Sequence, residues 1–310
     1  MTINRRRFLT NSARLAALGL AAPFIGFSRL GHSAASERFF KISLAQWSLH
    51  RQLRSGALKV LDFPVKTRKV FGIEAVEYVN QFFKDQAKDL KFLAAMKARA
   101  EDHNVRSLLI MVDGEGDLGD PDKGKRKQAI ENHYKWVEAA KYLNCHSVRV
   151  NAAGQGSREE VGKAAVEGLR ALSEFARDFN INVIVENHGG YSSNGEWLSQ
   201  VLQRVDMSNC GSLPDFGNFG DYDRYLGVQQ LMPFAQGISA KSFEFDSAGI
   251  EINTDFARML RIIRDAGYRG YIGIEFEGPG DEDHGILATK QLLEQLGRRV
   301  ELSAQLNQNN

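Results

Sequence analysis

Eight times between Phe40 and Gly278 the sequence sets down a short apolar run and follows it with a stretch of helical periodicity. The runs are FKISLAQW at 40–47, IEAVEYV at 73–79, VRSLLIMV at 105–112, SVRVN at 147–151, VIVEN at 183–187, CGSLPDF at 210–216, GISAKSF at 237–243 and YIGIEFEG at 271–278. Between them the helical signals are equally regular. Pro64 suits a first turn that ends near Gly72, and Leu90, Leu93 and Ala94 share a face within 85–99. Ile130, Tyr134, Val137 and Ala140 form a stripe at the i, i+4, i+7 spacing. Ser157 and Glu160 write a capping box ahead of the apolar face Val161, Ala164, Ala165, Leu169, Leu172 and Ala176. Further helices are expected at 196–203, 222–231, 255–266 and 286–296. Strands that alternate with helices pair in parallel. Eight such units, in a segment close to the roughly 250 residues usual for the architecture, predict an α/β fold of the closed (β/α)8 barrel type. An open doubly wound sheet would announce itself with a Gly-rich phosphate turn after the first strand. Ser48-Leu49-His50-Arg51 stands there instead.

Of the 310 residues, 43% are hydrophobic and 25% charged, and the formal net charge is +2. That balance gives no basic face for nucleic acid. The short run Lys123 to Lys127 (KGKRK) reads as a solvated loop. Residues 1–35 differ in character. NRRRFLT, from Asn4 to Thr10, precedes the apolar run Ala13 to Phe27, which Pro23 interrupts and which falls short of the roughly 20 residues of a membrane span. This looks like a twin-arginine export signal, with Ser33, Ala34 and Ala35 as a cleavage site. The resemblance implies passage through the Tat translocase, delivery to the periplasm and no stable membrane span. It divides the chain into a leader at 1–35, a barrel at 36–300 and a disordered tail at 301–310. Cys145 and Cys210 are the only cysteines; one disulfide is formally open, and two free thiols are the commoner outcome.

Chemistry in a barrel of this type belongs at the carboxyl ends of the strands. There the sequence places Glu186 and His188 on strand five, Asp215 on strand six, Ser239 and Lys241 on strand seven, and Glu275 and Glu277 on strand eight. Each of these acids alone could pair with an arginine or cap a helix. Three at matching depth on strands five, six and eight would repel one another in a dry cleft, and a divalent cation removes that conflict. An all-oxygen set suits Mn²⁺ or Mg²⁺ better than Zn²⁺. Among the histidines, His32 lies in the leader, His103, His133 and His146 on helices or at the amino ends of strands, and His284 in a loop. His188 and His50 remain near the mouth. Trp47, Tyr78, Asn80, Arg149 and Asn151 are candidates to line the cleft, with Arg149 equally suited to internal charge pairing. Glu77 becomes a mouth acid if its strand has the opposite register.

The pieces VIVENHGG, LPDFGNF, ISAKSFEFD and GYRGYIGIEFEG resemble the fifth to eighth strand motifs of the sugar phosphate isomerase/epimerase superfamily, the xylose isomerase-like TIM barrels. The resemblance implies a divalent metal, commonly manganese, held at Glu186, Asp215, position 239 and Glu275. Ser239 departs from the His or Gln expected there, leaving His188, Lys241 or a water to complete the shell. Asn218 stands where ketose epimerases carry a substrate-binding histidine. By the same resemblance, Glu186 and Glu275 exchange protons with substrate carbon beside a carbonyl, Lys241 serves as electrophile or proton shuttle, and His188, Asn218, Trp47, Tyr78 and Asn151 bind substrate. Aromatic Trp47, Tyr78 and Phe216 suit sugar faces. The implied activity is isomerisation or epimerisation of an unphosphorylated sugar or keto-sugar, because no phosphate cradle is written. A 3-keto-glycoside lyase using β-elimination and a non-catalytic periplasmic sugar-binding barrel are the alternatives. An oligomer is compatible with either.

Overall fold

The computed structural model describes residues 38–308, and the leader lies outside the described residues. Eight parallel strands form one sheet: β1 (Lys41–Ala45), β2 (Ala75–Val79), β3 (Arg106–Met111), β4 (Ser147–Val150), β5 (Asn182–Glu186), β6 (Cys210–Leu213), β7 (Ile238–Ser242) and β8 (Tyr271–Phe276). Their order, β6-β5-β4-β3-β2-β1-β8-β7, leaves β6 and β7 at the two ends. These meet through isolated parallel bridges at Ser212 with Ala235 and Asp215 with Ser239, so the sheet curls into the expected (β/α)8 barrel. The strands average five residues and are buried on both faces, because side chains point alternately into the barrel and out toward the helices.

The helices are α1 (His50–Ser55), α2 (Phe63–Phe71), α3 (Leu90–Asp102), α4 (Lys123–Tyr142), α5 (Arg158–Arg177), α6 (Gly195–Val205), α7 (Arg224–Leu231), α8 (Phe256–Asp265) and α9 (Glu282–Gln308). Pro64 opens α2, and Gly72 closes it in the left-handed conformation that glycine adopts without a Cβ clash. The Ser157–Glu160 capping box heads α5, whose apolar stripe is buried. Three expectations are corrected. Lys123 to Lys127 is the first turn of α4, capped by the Asp122 carboxylate, rather than a loop. His284 lies on α9 rather than in a loop, and α9 continues through the tail expected to be disordered, as far as Gln308. Cys145 and Cys210 are free thiols. Among the described residues no helix is long and apolar enough to cross a membrane.

Candidate active site

Glu186 ends β5, Asp215 follows β6, and Glu275 lies on β8 directly beside Lys241 of β7. All three acids are buried, and each offers an oxygen within 4.8 Å of the others, as a divalent cation would require. The separation of their strands in sequence makes this convergence a property of barrel closure. Asp215 sits at the seam, where the Phe216 amide donates to the Ser239 carbonyl (3.1 Å) and the Ser239 amide to the Pro214 carbonyl (2.9 Å).

Protein cations already attend the cluster. Lys241 Nζ is 2.9 Å from both Glu275 Oε1 and Glu277 Oε2. Arg149 Nη1 donates to Asp113 Oδ1 at 2.7 Å. Its Nε lies 2.6 Å from Glu186 Oε2, yet neither atom makes an aligned hydrogen bond. That contact is therefore a buried ion pair that holds the Glu186 carboxylate by charge. Asn218 Nδ2 donates to the other Glu186 oxygen at 2.9 Å. The Ser239 hydroxyl stands 2.6 Å from Asp215 Oδ2 and 2.9 Å from Glu275 Oε2. One hydroxyl carries one hydrogen, so it can donate to only one of them. A proton on a carboxyl group, or a cation beside it, must satisfy the second contact. The over-subscribed serine and the close approach of the three carboxylates fit a divalent cation held by the three acids. Serine itself is a weak neutral donor in the fourth place.

Burial pushes the Glu186 carboxyl up to about 7 against the pull of Arg149, and Asp215 up to about 7 against Lys241. For Glu275 burial acts in the same direction, but the adjoining Lys241 ammonium outweighs it and holds the group below the usual carboxylate range. Burial would depress Lys241; its carboxylate neighbours, Glu275 first, keep it firmly protonated. Burial, reinforced by Arg149, lowers His188 and keeps its imidazole neutral at pH 7.

Above the cluster opens a cavity of 200 Å³ whose walls include Trp47, Asp113, Arg149, His188, Lys241 and Glu277. A larger hollow of 560 Å³ lies among Lys97, Glu101, Arg106 and His146, at the amino-terminal ends of β3 and β4. It is remote from the converging carboxylates, and in this architecture that end is the non-catalytic one. Of the residues predicted to bind substrate, Trp47 and His188 line the cavity, beside the predicted Lys241 and Glu275. Asn218 touches Glu186, and Asn151 holds Asp113 (Nδ2 to Oδ1, 2.7 Å) at its edge. Tyr78 does not belong to the site. It faces outward from β2, fully buried against Phe63 and Phe83 with its hydroxyl 3.0 Å from Ser107 Oγ, because it is the inward side of β2 that carries Glu77. Phe216 is likewise in the core, edge-on to Phe256, and Asn80 is spent on the Asp113 backbone. His50 stacks on Trp47 outside the cavity wall. Asp113 escaped the sequence reading, although it directly follows the apolar run of β3 and so stands at the mouth.

A barrel with this strand order and an acid trio at strands five, six and eight defines a recognisable class. The chain belongs to the xylose isomerase-like TIM barrel family, whose sequence model matches residues 67–296. Among solved structures its fold is similar to that of the IOLI protein with a bound zinc atom, at 13% identity over 84% of this chain and 99% of that one, with a TM-score of 0.69. It is similar to a D-tagatose 3-epimerase-like protein at 19% identity, covering 86% and 100% of the two chains with a TM-score of 0.67. An L-ribulose 3-epimerase gives 12% identity, 86% and 97% coverage and a TM-score of 0.69. No curated protein matches the sequence.

Proposed function

We propose that the protein is a sugar isomerase or epimerase that moves a proton between substrate carbon and the carboxylates Glu186 and Glu275, at a site for a divalent cation, Mn²⁺ before Mg²⁺. The observation that carries this reading is the meeting of three buried acids from strands five, six and eight beneath a small polar cavity, in a barrel of this family. The solved neighbours named for epimerases, and the one that holds zinc, support the reaction class and the cation. When bound, the cation would stabilise negative charge developing on substrate oxygen.

The chain's own groups supply the rest. Glu186 and Glu275 stand on strands that are not neighbours in the sheet, so a substrate lying between them is open to proton exchange from two sides. Asn218 orients Glu186 through its carboxamide. Lys241, charged and beside Glu275, is placed to donate to substrate oxygen. The indole of Trp47 gives an apolar wall for a sugar face, and neutral His188 offers a hydrogen-bonding edge. A cavity of 200 Å³ is below the roughly 300–1,000 Å³ of most ligand pockets. It suits a single unphosphorylated sugar or keto-sugar better than a glycoside with a bulky aglycone, which favours interconversion over elimination. The leader's Arg5 and Arg6 support export to the periplasm by the twin-arginine route. Replacing both with Lys should retain the protein in the cytoplasm, seen by fractionation.

Sugars and keto-sugars incubated with protein and Mn²⁺ in deuterated water should take deuterium onto carbon. Glu186→Gln and Glu275→Gln should each lower the exchange rate by about 10² or more. Absence of label from every sugar tried, or exchange that survives both substitutions, would remove the reading. Release of an aglycone in place of exchange would reassign the same carboxylates to elimination.

A further inference from the structure

The Lys241 ammonium is shared between two carboxylates at equal distance, 2.9 Å from Glu275 Oε1 and 2.9 Å from Glu277 Oε2. The two are not equivalent. Glu275 is an inner partner, its side chain 6% exposed, and one of the three acids that converge. Glu277 is an outer partner, 34% exposed, at the cavity lip. The outer carboxylate is held from behind, since Trp47 Nε1 donates to its other oxygen at 2.9 Å. The lysine stem runs close over the turn after Asp215. A Cβ on Gly217 would come within 2.9 Å of Lys241 Cδ, so the glycine there keeps the stem's path open.

Without a metal ion, this ammonium is what neutralises Glu275. A divalent cation drawn to the same carboxylate meets a positive charge already in place, and like charges in a poorly screened interior repel strongly. Expelling the ammonium with nowhere to go would leave a buried charge unpaired, which is costly. Glu277 removes that difficulty, because contact with it alone keeps the lysine paired.

We propose that Lys241 is a resident counter-ion that a divalent cation displaces from Glu275, and that Glu277, braced by Trp47, is the seat to which the ammonium withdraws. The inference rests on the reading of Glu186, Asp215 and Glu275 as a divalent-cation site. It makes Glu277 a positioning residue acting through Lys241, and it makes cation affinity a property of the Lys241–Glu277 pair as well as of the three acids.

The test is Mn²⁺ binding to the purified protein by calorimetry without substrate, with thermal unfolding measured in parallel. Lys241→Met should bind Mn²⁺ at least tenfold more tightly than the natural protein. Its Tm should be lower without the ion and restored by it. Glu277→Gln should weaken binding at least tenfold when Lys241 is present, and less than about threefold when Lys241 is already Met. Trp47→Phe leaves every charge in place and should weaken binding in the same direction as Glu277→Gln. If Lys241→Met fails to fold, Trp47→Phe decides, since unchanged affinity there overturns the seat. Lys241→Met binding no more tightly, or Glu277→Gln costing the same in both backgrounds, overturns this inference and leaves the cation site standing. No binding by any variant overturns both.

Discussion

Glu77 is a carboxyl group inside the barrel, 2% exposed, that takes one hydrogen bond from Ser43 Oγ at 2.6 Å and has no partner for its second oxygen. Burial raises it to about 7 from 4.5. Because the folded value exceeds the unfolded one, its contribution to stability is complete below about pH 4.5 and is lost as pH rises through 7. Glu186 and Asp215 shift in the same sense. Burial also lowers His133, His146 and His188, whose contribution grows as pH rises through the same window, so the share of Glu77 is read by difference: the Tm of metal-free Glu77→Gln relative to the natural protein should rise from pH 5 to pH 8. A difference that is level or falling across this window contradicts it. A Cβ on Gly273 would lie 2.6 Å from both Glu77 oxygens, so Gly273→Ala should cost about 1–3 kcal/mol in urea unfolding. The cost should shrink in a Glu77→Ala background; equal costs would put the strain elsewhere. The sequence could show that Glu77 and Tyr78 face opposite ways but not which of them faces inward, since a strand covered on both sides has no polar face to read. Asp113 was hidden for a different reason. Its pairing with Arg149 holds it down to about 2 despite burial, and that partner comes from the next strand, 36 residues on.

Elements with chemistry at their ends were the most legible. The Ser157 hydroxyl and Glu160 carboxylate close the first turn of α5 reciprocally, as their spacing foretold. Ser157→Ala should cost about 1 kcal/mol, measured as a fall in the urea midpoint without change in slope; no shift would mean that packing alone holds the turn. All eight strands were identified by their apolar runs, which overrun the strand by one to three residues at one or both ends, while β5 also starts one residue earlier, at Asn182. The start of α4 reads as loop in the sequence because its five residues of Lys, Gly and Arg have no apolar periodicity; the cap from Asp122, which accepts from the Gly124 and Lys125 amides, decides the matter. The continuation of α9 to Gln308 was equally illegible. Leu302 and Leu306 are exposed, so its last turns show no buried stripe that a pattern could reveal.

At the scale of the molecule, a ligand that binds only the folded barrel stabilises it by mass action. Free Mn²⁺ at a hundred times its dissociation constant should add about 2.7 kcal/mol, on the order of 5–10 °C in Tm for a domain of this size, and a chelator should reverse the gain. No shift would count against the acid trio as a cation site. The seam between β6 and β7 gives this linkage a location. The two strands share no ladder, and of the two isolated bridges that join them the one nearer the mouth pairs Asp215 with Ser239. Whatever anchors those two residues therefore also fastens the cylinder where it is least stitched. Amide hydrogens of Phe216 and Ser239 should exchange with solvent faster than those of the neighbouring ladders, and slow sharply once the ion arrives, so that the same event that readies the catalyst would also lock its wall.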